Sequence, residues 1–293
     1  MKTLTIFTPT YNRAYCLHQL YNSLLNQTNQ DFIWLIIDDG STDDTKQLVD
    51  SWKYENKISI EYIFQENKGM HSGHNTAYDN IKTELNVCID SDDFMPNDAV
   101  ENILSIWNTT NDKPNIAGII GLDSYKNGEI VGTKIPDNIF RSGLSQLYSN
   151  HGVSGDKKIV LRTDIVNTFP RYPIFKGEKF VPLGSLYIMI DQKHQCVCLN
   201  KVLCIVEYLP DGSSRNIFSQ YKKHPNGFRY SRIIEMKYSN SILYTFTRAM
   251  HLISSSIFAR KSFFKDNPKP IITFFAIPFG LLLHIYIHIK IKK

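Results

Sequence analysis

Apolar and polar positions switch between two periods over the first third of the chain. Short, mostly apolar runs from Leu4 to Thr8, Phe32 to Ile37, Ile58 to Phe64 and Leu85 to Ile89 predict strands, and those ending at Ile37 and Ile89 read as buried ones. Between them, Leu17, Leu20, Tyr21, Leu24 and Leu25 follow helical spacing. A second helix is predicted through Leu48, Val49 and Trp52, and a third after Gly73. For the second, Ser41 is the expected N-cap, with Asp44 at the capping-box position. Strand and helix alternating in this order imply a largely parallel sheet with helices on both faces. Further on, Asn115 to Leu122 predicts another strand, Asp123 to Thr133 a hairpin around Asn127-Gly128, and Lys158 to Arg162 a further strand.

Two acidic groups fall where predicted strands leave the sheet: Asp38-Asp39-Gly40-Ser41 and Asp90-Ser91-Asp92-Asp93. Open α/β sheets bind ligands beyond the carboxyl ends of their strands. Carboxylates gathered there repel one another unless a cation or hydrogen-bond donors compensate them. Helix capping would explain either group alone, but three Asp in four residues exceed what a cap needs. Strand alternation predicts Asp90 and Asp92 on one side, with Asp93 at the turn. The loops GxGxxG and GxxxxGK[ST] do not occur, so phosphate recognition falls to a divalent cation held by carboxylates, with Mg²⁺ or Mn²⁺ the expected cofactor.

Composition changes this picture little. The chain has 293 residues, 42% hydrophobic and 21% charged, with a net charge of +5, which suits one large domain with an appendage or two small ones. The 16 Tyr and 17 Phe are not interleaved with a basic helix, so no nucleic-acid partner is expected. The five cysteines have no regular spacing, which argues against a disulfide framework. Cys196 and Cys198 read as core thiols. Met1-Lys2 leads straight into a strand, so no signal peptide is expected.

Four motifs together resemble family-2 glycosyltransferases of the GT-A fold, the nucleotide-sugar transferases of bacterial surface polysaccharide assembly. They are Thr8-Pro9-Thr10-Tyr11-Asn12-Arg13, Asp38-Asp39-Gly40-Ser41-Thr42-Asp43, Asn67-Lys68-Gly69 followed by Asn75 and Ala77, and the DxD-type Asp90-Ser91-Asp92-Asp93. The resemblance spans roughly the first third of the chain. It implies that Thr8, Pro9 and Tyr11 line a nucleoside pocket and that Asp39 accepts a hydrogen bond from the base. It further places Asp90 near the ribose, Lys68 on a phosphate, and Asp92 with Asp93 on the metal. Arg13, Gly69, Asn75 and Ser91 complete the implied nucleotide-sugar site. A UDP-sugar donor and inversion of configuration are also implied.

Members of this family carry an acidic general base late in the catalytic domain. Here the corresponding place reads Gly177-Glu178-Lys179, which makes Glu178 the candidate base and Asp156 the runner-up. An exposed loop glutamate is the plainer alternative for Glu178. His71 and His74 share a helix face, but nothing is spaced to complete a metal site with them. They read as exposed or hydrogen-bonded histidines near the substrate mouth. Arg215, Lys222, Lys223, His224 and Arg229 are expected to form a basic lid or a solvated basic loop.

The end of the chain is of a different character. Ile271 to Ile291 is almost wholly apolar, with Lys261, Lys265 and Lys269 before it and Lys290, Lys292 and Lys293 at its end. As a helix it puts His284, His288 and Lys292 on one stripe, which suits a segment lying in a membrane interface. The alternation Ile285, Ile287, Ile289 and Ile291 fits a strand equally. Ile242 to Phe264 reads as a second interfacial helix, and soluble core helices are the alternative for both. The expected architecture is therefore an α/β GT-A domain over residues 1–230, with a nucleotide-sugar part to about 122 and an acceptor part beyond it. A membrane-associating extension is expected over 231–293. The function implied is metal-dependent sugar transfer from a UDP-sugar to a saccharide acceptor, lipid-linked, at the cytoplasmic face of the cell membrane. The alternative is a non-catalytic nucleotide-sugar-binding or scaffold subunit of an assembly complex. A nucleotidylyltransferase would need a Gly-rich phosphate loop near the N-terminus, which the sequence lacks.

Overall fold

The computed structural model describes residues 2–207 and 217–292. They form two compact units, Met1–Pro170 with Lys193–Leu209, and Arg171–Gln192 with Pro210–Lys293. The segment 171–192 thus groups with the C-terminal helices.

The first unit is built on an eight-stranded sheet. Its strands are β1 (Leu4–Thr10), β2 (Phe32–Asp38), β3 (Ile60–Phe64), β4 (Leu85–Cys88), β5 (Ile116–Ser124), β6 (Arg141–Ser142), β7 (Lys157–Arg162) and β8 (Gln195–Ile205). They are ordered β3-β2-β1-β4-β7-β5-β8-β6. β1 pairs in parallel with both β2 and β4, and β2 with β3. The strand order therefore reverses at β1, which opens a crevice beyond the carboxyl ends of β1 and β4. β7 runs antiparallel between β4 and β5. The expected parallel α/β sheet is thus present, with one strand inserted backwards that no periodicity announces.

Local sequence explains the helices. In α1 (Ala14–Leu25), Leu17, Leu20, Tyr21 and Leu24 form the buried stripe. In α2 (Thr45–Glu55) the inward residues are Val49 and Trp52, and the Trp52 ring stacks on Tyr21 with centroids 4.3 Å apart. Face-covered strands such as β2, apolar along nearly their whole length, need both helix layers to exclude water. β5 is buried at every position, and Gly118 allows the close approach of β7: a Cβ there would lie 1.9 Å from the Val160 carbonyl oxygen. α3 (Met70–Asn80) and α4 (Ala99–Thr109) complete this unit's main helices. His71 and His74 on α3 are buried, and of the two alternatives His74 takes the hydrogen-bonded one, its Nδ1 3.3 Å from Tyr78 Oη. Burial pushes the His74 imidazole down to about 4, where Asp90 opposes the shift, and the ring packs edge-on against Phe7.

The second unit is helical. With α5 (Leu144–Asn150) and α6 (Thr163–Val166) in the first unit, its helices are α7 (Gly184–Asp191), α8 (Ile217–Lys223), α9 (Pro225–Tyr238), α10 (Ile242–Phe258) and α11 (Pro270–Lys292). Met236, Ala249, Leu252, Ile253 and Ala276 form its core. α10 is a core helix rather than an interfacial one. Its Arg248 pairs with Glu235 of α9 at 3.4 Å, and only its first turn, with Ile242 and Leu243, leaves large apolar side chains in the open. The tail is α-helical, which disposes of the strand alternative for Ile285 to Ile291.

Candidate active site

The site grows from the loops that leave β1, β2, β3 and β4. Asn12 adopts φ 52, and its side chain accepts from the Thr42 amide at 2.7 Å while its own amide donates to Ser41 Oγ at 2.8 Å. Asp43 accepts from the amide of Ala14, the first residue of α1, at 3.1 Å and from the amide of Thr45, the first of α2, at 3.1 Å. One carboxylate thus holds the starts of two helices, where backbone N–H groups lack intrahelical partners. The second helix begins at Thr45, so Ser41 is not its N-cap. Ser41 stitches the first loop to the second instead.

Asp38 and Asp39 divide their work. Asp38 is buried and accepts from Tyr62 Oη at 2.5 Å and the Ser41 amide at 2.7 Å, which makes it a strut of the sheet edge. Asp39 accepts from Gln65 Nε2 at 2.6 Å, the Lys68 amide at 2.9 Å and the Gly69 amide at 2.7 Å. A carboxylate offers about four lone-pair sites, so three protein donors leave one for a ligand. Gly40, at φ +84, is needed here because a Cβ would sit 2.9 Å from the Asn67 amide nitrogen. Asn67-Lys68-Gly69 is thereby folded onto the end of β2. The Lys68 ammonium is exposed and lies 3.6 Å from Glu66. Tyr11 is exposed and Pro9 and Asn75 are half-buried, as a binding surface requires. The Thr8 side chain is buried and accepts from Trp34 Nε1 at 3.0 Å. Arg13 hydrogen-bonds Tyr15.

The acidic group after β4 is a turn. β4 ends at Cys88, and the Asp93 amide donates to the Asp90 carbonyl at 3.0 Å, so strand alternation does not govern Asp90 and Asp92. Asp90 is exposed, Asp92 half-buried, and Ser91 and Asp93 buried. Asp93 turns inward, where it accepts from the Glu207 amide at 3.0 Å and from Cys204 Sγ at 3.6 Å. Burial raises its carboxyl to about 7, opposed by Lys158 and reinforced by the charge of Asp90. Both Asp93 oxygens are thus engaged at the end of β8, by the Cys204 thiol and the Glu207 amide.

Lys158 is the residue that sequence reasoning missed. The β4–β7 register pairs Val87 with Val160, so Lys158 falls beside the turn that follows Cys88. Burial disfavours its charge, but the carboxylates of Asp123, Asp93 and Asp90 outweigh this and hold the ammonium protonated well above its ordinary range. Asp123, buried at the end of β5, has its carboxyl raised by burial and held back by the same lysine. A lysine in a predicted strand carried no signal without the topology that sets β7 between β4 and β5. Removing one partner of such a buried group costs roughly 3–5 kcal/mol. Lys158→Met is accordingly expected to lower the urea midpoint of unfolding sharply, whereas an unchanged midpoint would show that the acidic group is compensated elsewhere.

Asp156, exposed, precedes β7 on a rigid loop: the Lys157 ammonium donates to the carbonyls of Val131, Ser154, Gly155 and Asp156 at 2.7 to 3.2 Å. Glu178 belongs to the second unit and is not an exposed loop residue. Its carboxylate is buried and accepts from the amides of Asn226 (3.0 Å) and Gly227 (2.9 Å) and from Asn226 Nδ2 (2.5 Å), which caps the first turn of α9. Glu178→Ala should therefore cost about 1–2 kcal/mol of stability through the lost cap. An unaltered melting temperature would contradict that role. The basic lid does not form as expected. Arg229 is buried in α9 and donates to the carbonyls of Ser262 and Lys265, and His224 Nδ1 accepts from the Lys179 amide at 3.1 Å. Lys222 and Lys223 close α8, and Arg215 lies outside the described residues.

No group of three His, Cys, Asp or Glu side chains among the described residues is arranged to hold a metal ion unaided. The donor set at the turn is oxygen only, with Asp90 exposed and Asp92 half-buried. That fits Mg²⁺ or Mn²⁺, which take one or two carboxylates and complete their shell with water and substrate phosphates.

Residues 5–166 match the family model for glycosyl transferase family 2. The chain belongs to that family. It is 40% identical over 98 residues to the chondroitin synthase of Escherichia coli, across 33% of this chain and 14% of that protein. It is 28% identical over 145 residues to the Staphylococcus aureus poly(ribitol-phosphate) beta-N-acetylglucosaminyltransferase TarP, across 49% of this chain and 42% of that one. The chain thus spans less than half the length of these curated relatives. In fold it is similar to S. aureus TarS 1–349, solved in complex with UDP-GlcNAc, with a TM-score of 0.63 and 19% identity over 87% of this chain and 71% of that one. The GT-A architecture is thereby shown.

Proposed function

We propose that the chain is an inverting, metal-dependent glycosyltransferase that moves a sugar from a UDP-sugar onto a lipid-linked saccharide acceptor of a bacterial surface polysaccharide. The observation that supports this reading most is the Asp90–Asp93 turn at the β1–β4 switch point, its inner carboxylate anchored on the Glu207 amide, with Asp90 exposed and Asp92 half-buried on the same turn. The relatives named above, one a chondroitin synthase and one an N-acetylglucosaminyltransferase, and a structural neighbour holding UDP-GlcNAc support the choice of donor. A scaffold subunit without catalysis has no need of a buried, compensated acidic group at that point.

In this reading Tyr11 and Pro9 face the nucleoside, Asp39 accepts from the base through its remaining lone pair, and Asp90 meets the ribose. Asp92, together with the donor's diphosphate, would hold a divalent cation that neutralises charge as a Lewis acid when bound. The acceptor hydroxyl needs a carboxylate to take its proton. We assign that task to Asp156, whose loop is fixed by Lys157, rather than to Glu178, whose lone pairs are occupied by α9. Asp156→Asn is expected to lower kcat by about 10²–10⁴-fold with UDP affinity intact. Glu178→Gln, by contrast, is expected to keep measurable turnover. The reverse ranking in a steady-state assay would return the base to Glu178.

The membrane part of the proposal rests on α11. Its window Pro270–Ile291 has a mean hydropathy of 2.0 and is long and apolar enough to cross a membrane. Thr273, Ala276, Gly280 and Ile287 are buried against the unit's core, while Phe274, Phe275, Leu282, Ile285 and Ile289 point outward. His284, expected on a water-facing stripe, is turned to α10, where its ring lies 4.3 Å from Phe258. His284 thus faces protein while large apolar side chains lie outward, which supports a helix seated on lipid. We place it on the cytoplasmic leaflet, where its flanking lysines meet anionic headgroups.

A further inference from the structure

A groove on the first unit, with a cavity volume of about 300 Å³, lies between α1 and the segment that follows the acidic turn. That volume is at the lower end of the roughly 300–1,000 Å³ usual for small-molecule sites. One wall is a single face of α1, where Gln19, Asn22 and Asn26 follow at helical spacing. The other runs from Phe94 to Asn97. No ionised side chain lines it.

The groove is built rather than incidental. Phe94 and Ile205 exchange backbone hydrogen bonds at 3.1 and 2.7 Å, which makes a fixed floor. The Met95 amide donates to Ser23 Oγ at 3.2 Å, Gln27 Nε2 donates to the Pro96 carbonyl at 2.7 Å, and the Thr28 amide donates to the Asn97 carbonyl at 2.8 Å. The segment is therefore pinned to α1 along its length, and the amides of Asn22, Asn26 and Asn97 remain exposed at its rim. A preformed site costs a ligand little ordering.

Its chemistry narrows the ligand. A side-chain amide offers both a donor and an acceptor, which matches hydroxyl groups that do the same. Lys126, 5.7 Å from the Phe94 ring, and Glu207, hydrogen-bonded to Gln19, stand beside the lining but pair with each other at 2.5 Å, so no net charge favours phosphate, carboxylate or ammonium ligands. Phe94, Met95 and Ile205 supply an apolar patch beneath the amides, which suits the carbon face of a sugar ring.

We propose that this groove binds a stretch of neutral saccharide, separate from the donor crevice. It rests on the glycosyltransferase reading only for its purpose, which is to hold the acceptor or product chain while its end is extended. Phe94 follows Asp93 directly, so a chain seated there is anchored to the same turn that carries Asp92.

The test is a glycan array of neutral hexose and N-acetylhexosamine oligosaccharides with sulfated and sialylated ones beside them, probed with the labelled full chain. The triple variant Asn22→Ala, Asn26→Ala, Asn97→Ala is compared, with melting temperature and UDP affinity measured on both proteins. All three amides are exposed, so folding is expected to survive. The proposal requires wild-type signal on neutral glycans and at least a tenfold loss in the variant, with UDP affinity unchanged. Equal signals, binding confined to the anionic glycans, or no glycan bound by the wild type would each overturn it. Failure of either protein to bind UDP would count against the donor reading instead, and leaves the array result to decide the groove.

Discussion

Replacing Asp92 by Asn should lower the rate of sugar transfer by about 10²–10³-fold, since it would weaken the hold on a divalent cation that neutralises the leaving diphosphate, and loss of one such stabilising interaction costs about that much. The substitution keeps the shape of the side chain and removes only charge. Asp92 is half-buried on a turn whose architecture rests on its neighbours, the Asp93 carboxylate on the Glu207 amide and the Asp93 amide on the Asp90 carbonyl. Stability should therefore change little. A parallel substitution, Asp93→Asn, is expected to act in the opposite sense. It touches a buried acceptor, so unfolding is affected first and rate second. If Asp92→Asn transferred sugar at near the wild-type rate while Asp93→Asn was the inactive one, the assignment of inner and outer carboxylates would be reversed.

The second large effect is expected at the outer face of α11. Substituting Phe274, Phe275, Leu282 and Ile285 by Ser or Gln should weaken binding to anionic vesicles on the order of 10³-fold. The estimate takes about 1 kcal/mol per partly inserted side chain, below the roughly 1.5–3 kcal/mol of full burial. Removing the helix altogether is a poorer experiment than the sequence suggests. Ala276 and Ile287 are fully buried, and a Cβ on Gly280 would lie 2.8 Å from Ile253 Cβ, so truncation after Asn267 would open the core of the second unit. Surface substitution separates membrane contact from folding. UDP-sugar hydrolysis should persist in the variant, and transfer to a lipid-borne acceptor should fall. Vesicle flotation indistinguishable from wild type would show that the apolar face is covered by something other than lipid. Wild-type binding should also weaken as salt rises, because lysines near a charged surface contribute roughly 1 kcal/mol each at low screening.

What the sequence could disclose follows from the range over which each interaction acts. β1, β2 and β4 were legible because both of their faces are covered, so their runs are mostly apolar, broken only by small or buried polar residues such as Thr5 and Asn86. β8 was not foreseen as a strand. It carries half-exposed and exposed residues around Asn200, and its pairing with β5 shifts register, so neither a clean alternation nor a clean run survives. The two acidic groups and the Asn67-Lys68-Gly69 loop could be assigned to one edge from strand order alone. Their internal division of labour could not. Asp38 and Asp39 are adjacent in sequence, but one binds Tyr62 and the other the amides of Lys68 and Gly69. Glu178 is fixed by residues 48 and 49 positions away, and Lys158 acquires its partners only when β7 enters the sheet backwards. Asp43 was the nearest to being found, since an Asp before a helix is an ordinary cap. Its second partner, Ala14, lies across a loop contact that no local pattern shows.

The most direct test of the account is turnover of a panel of UDP-sugars by the purified full chain with Mn²⁺, measured as UDP released with and without a saccharide acceptor, and repeated in chelator. The account predicts release from one UDP-sugar well above the others, stimulated by acceptor, abolished by chelator and absent in Asp92→Asn. Release that is indifferent to chelator and to Asp92, or no release and no UDP binding with any donor, would contradict it.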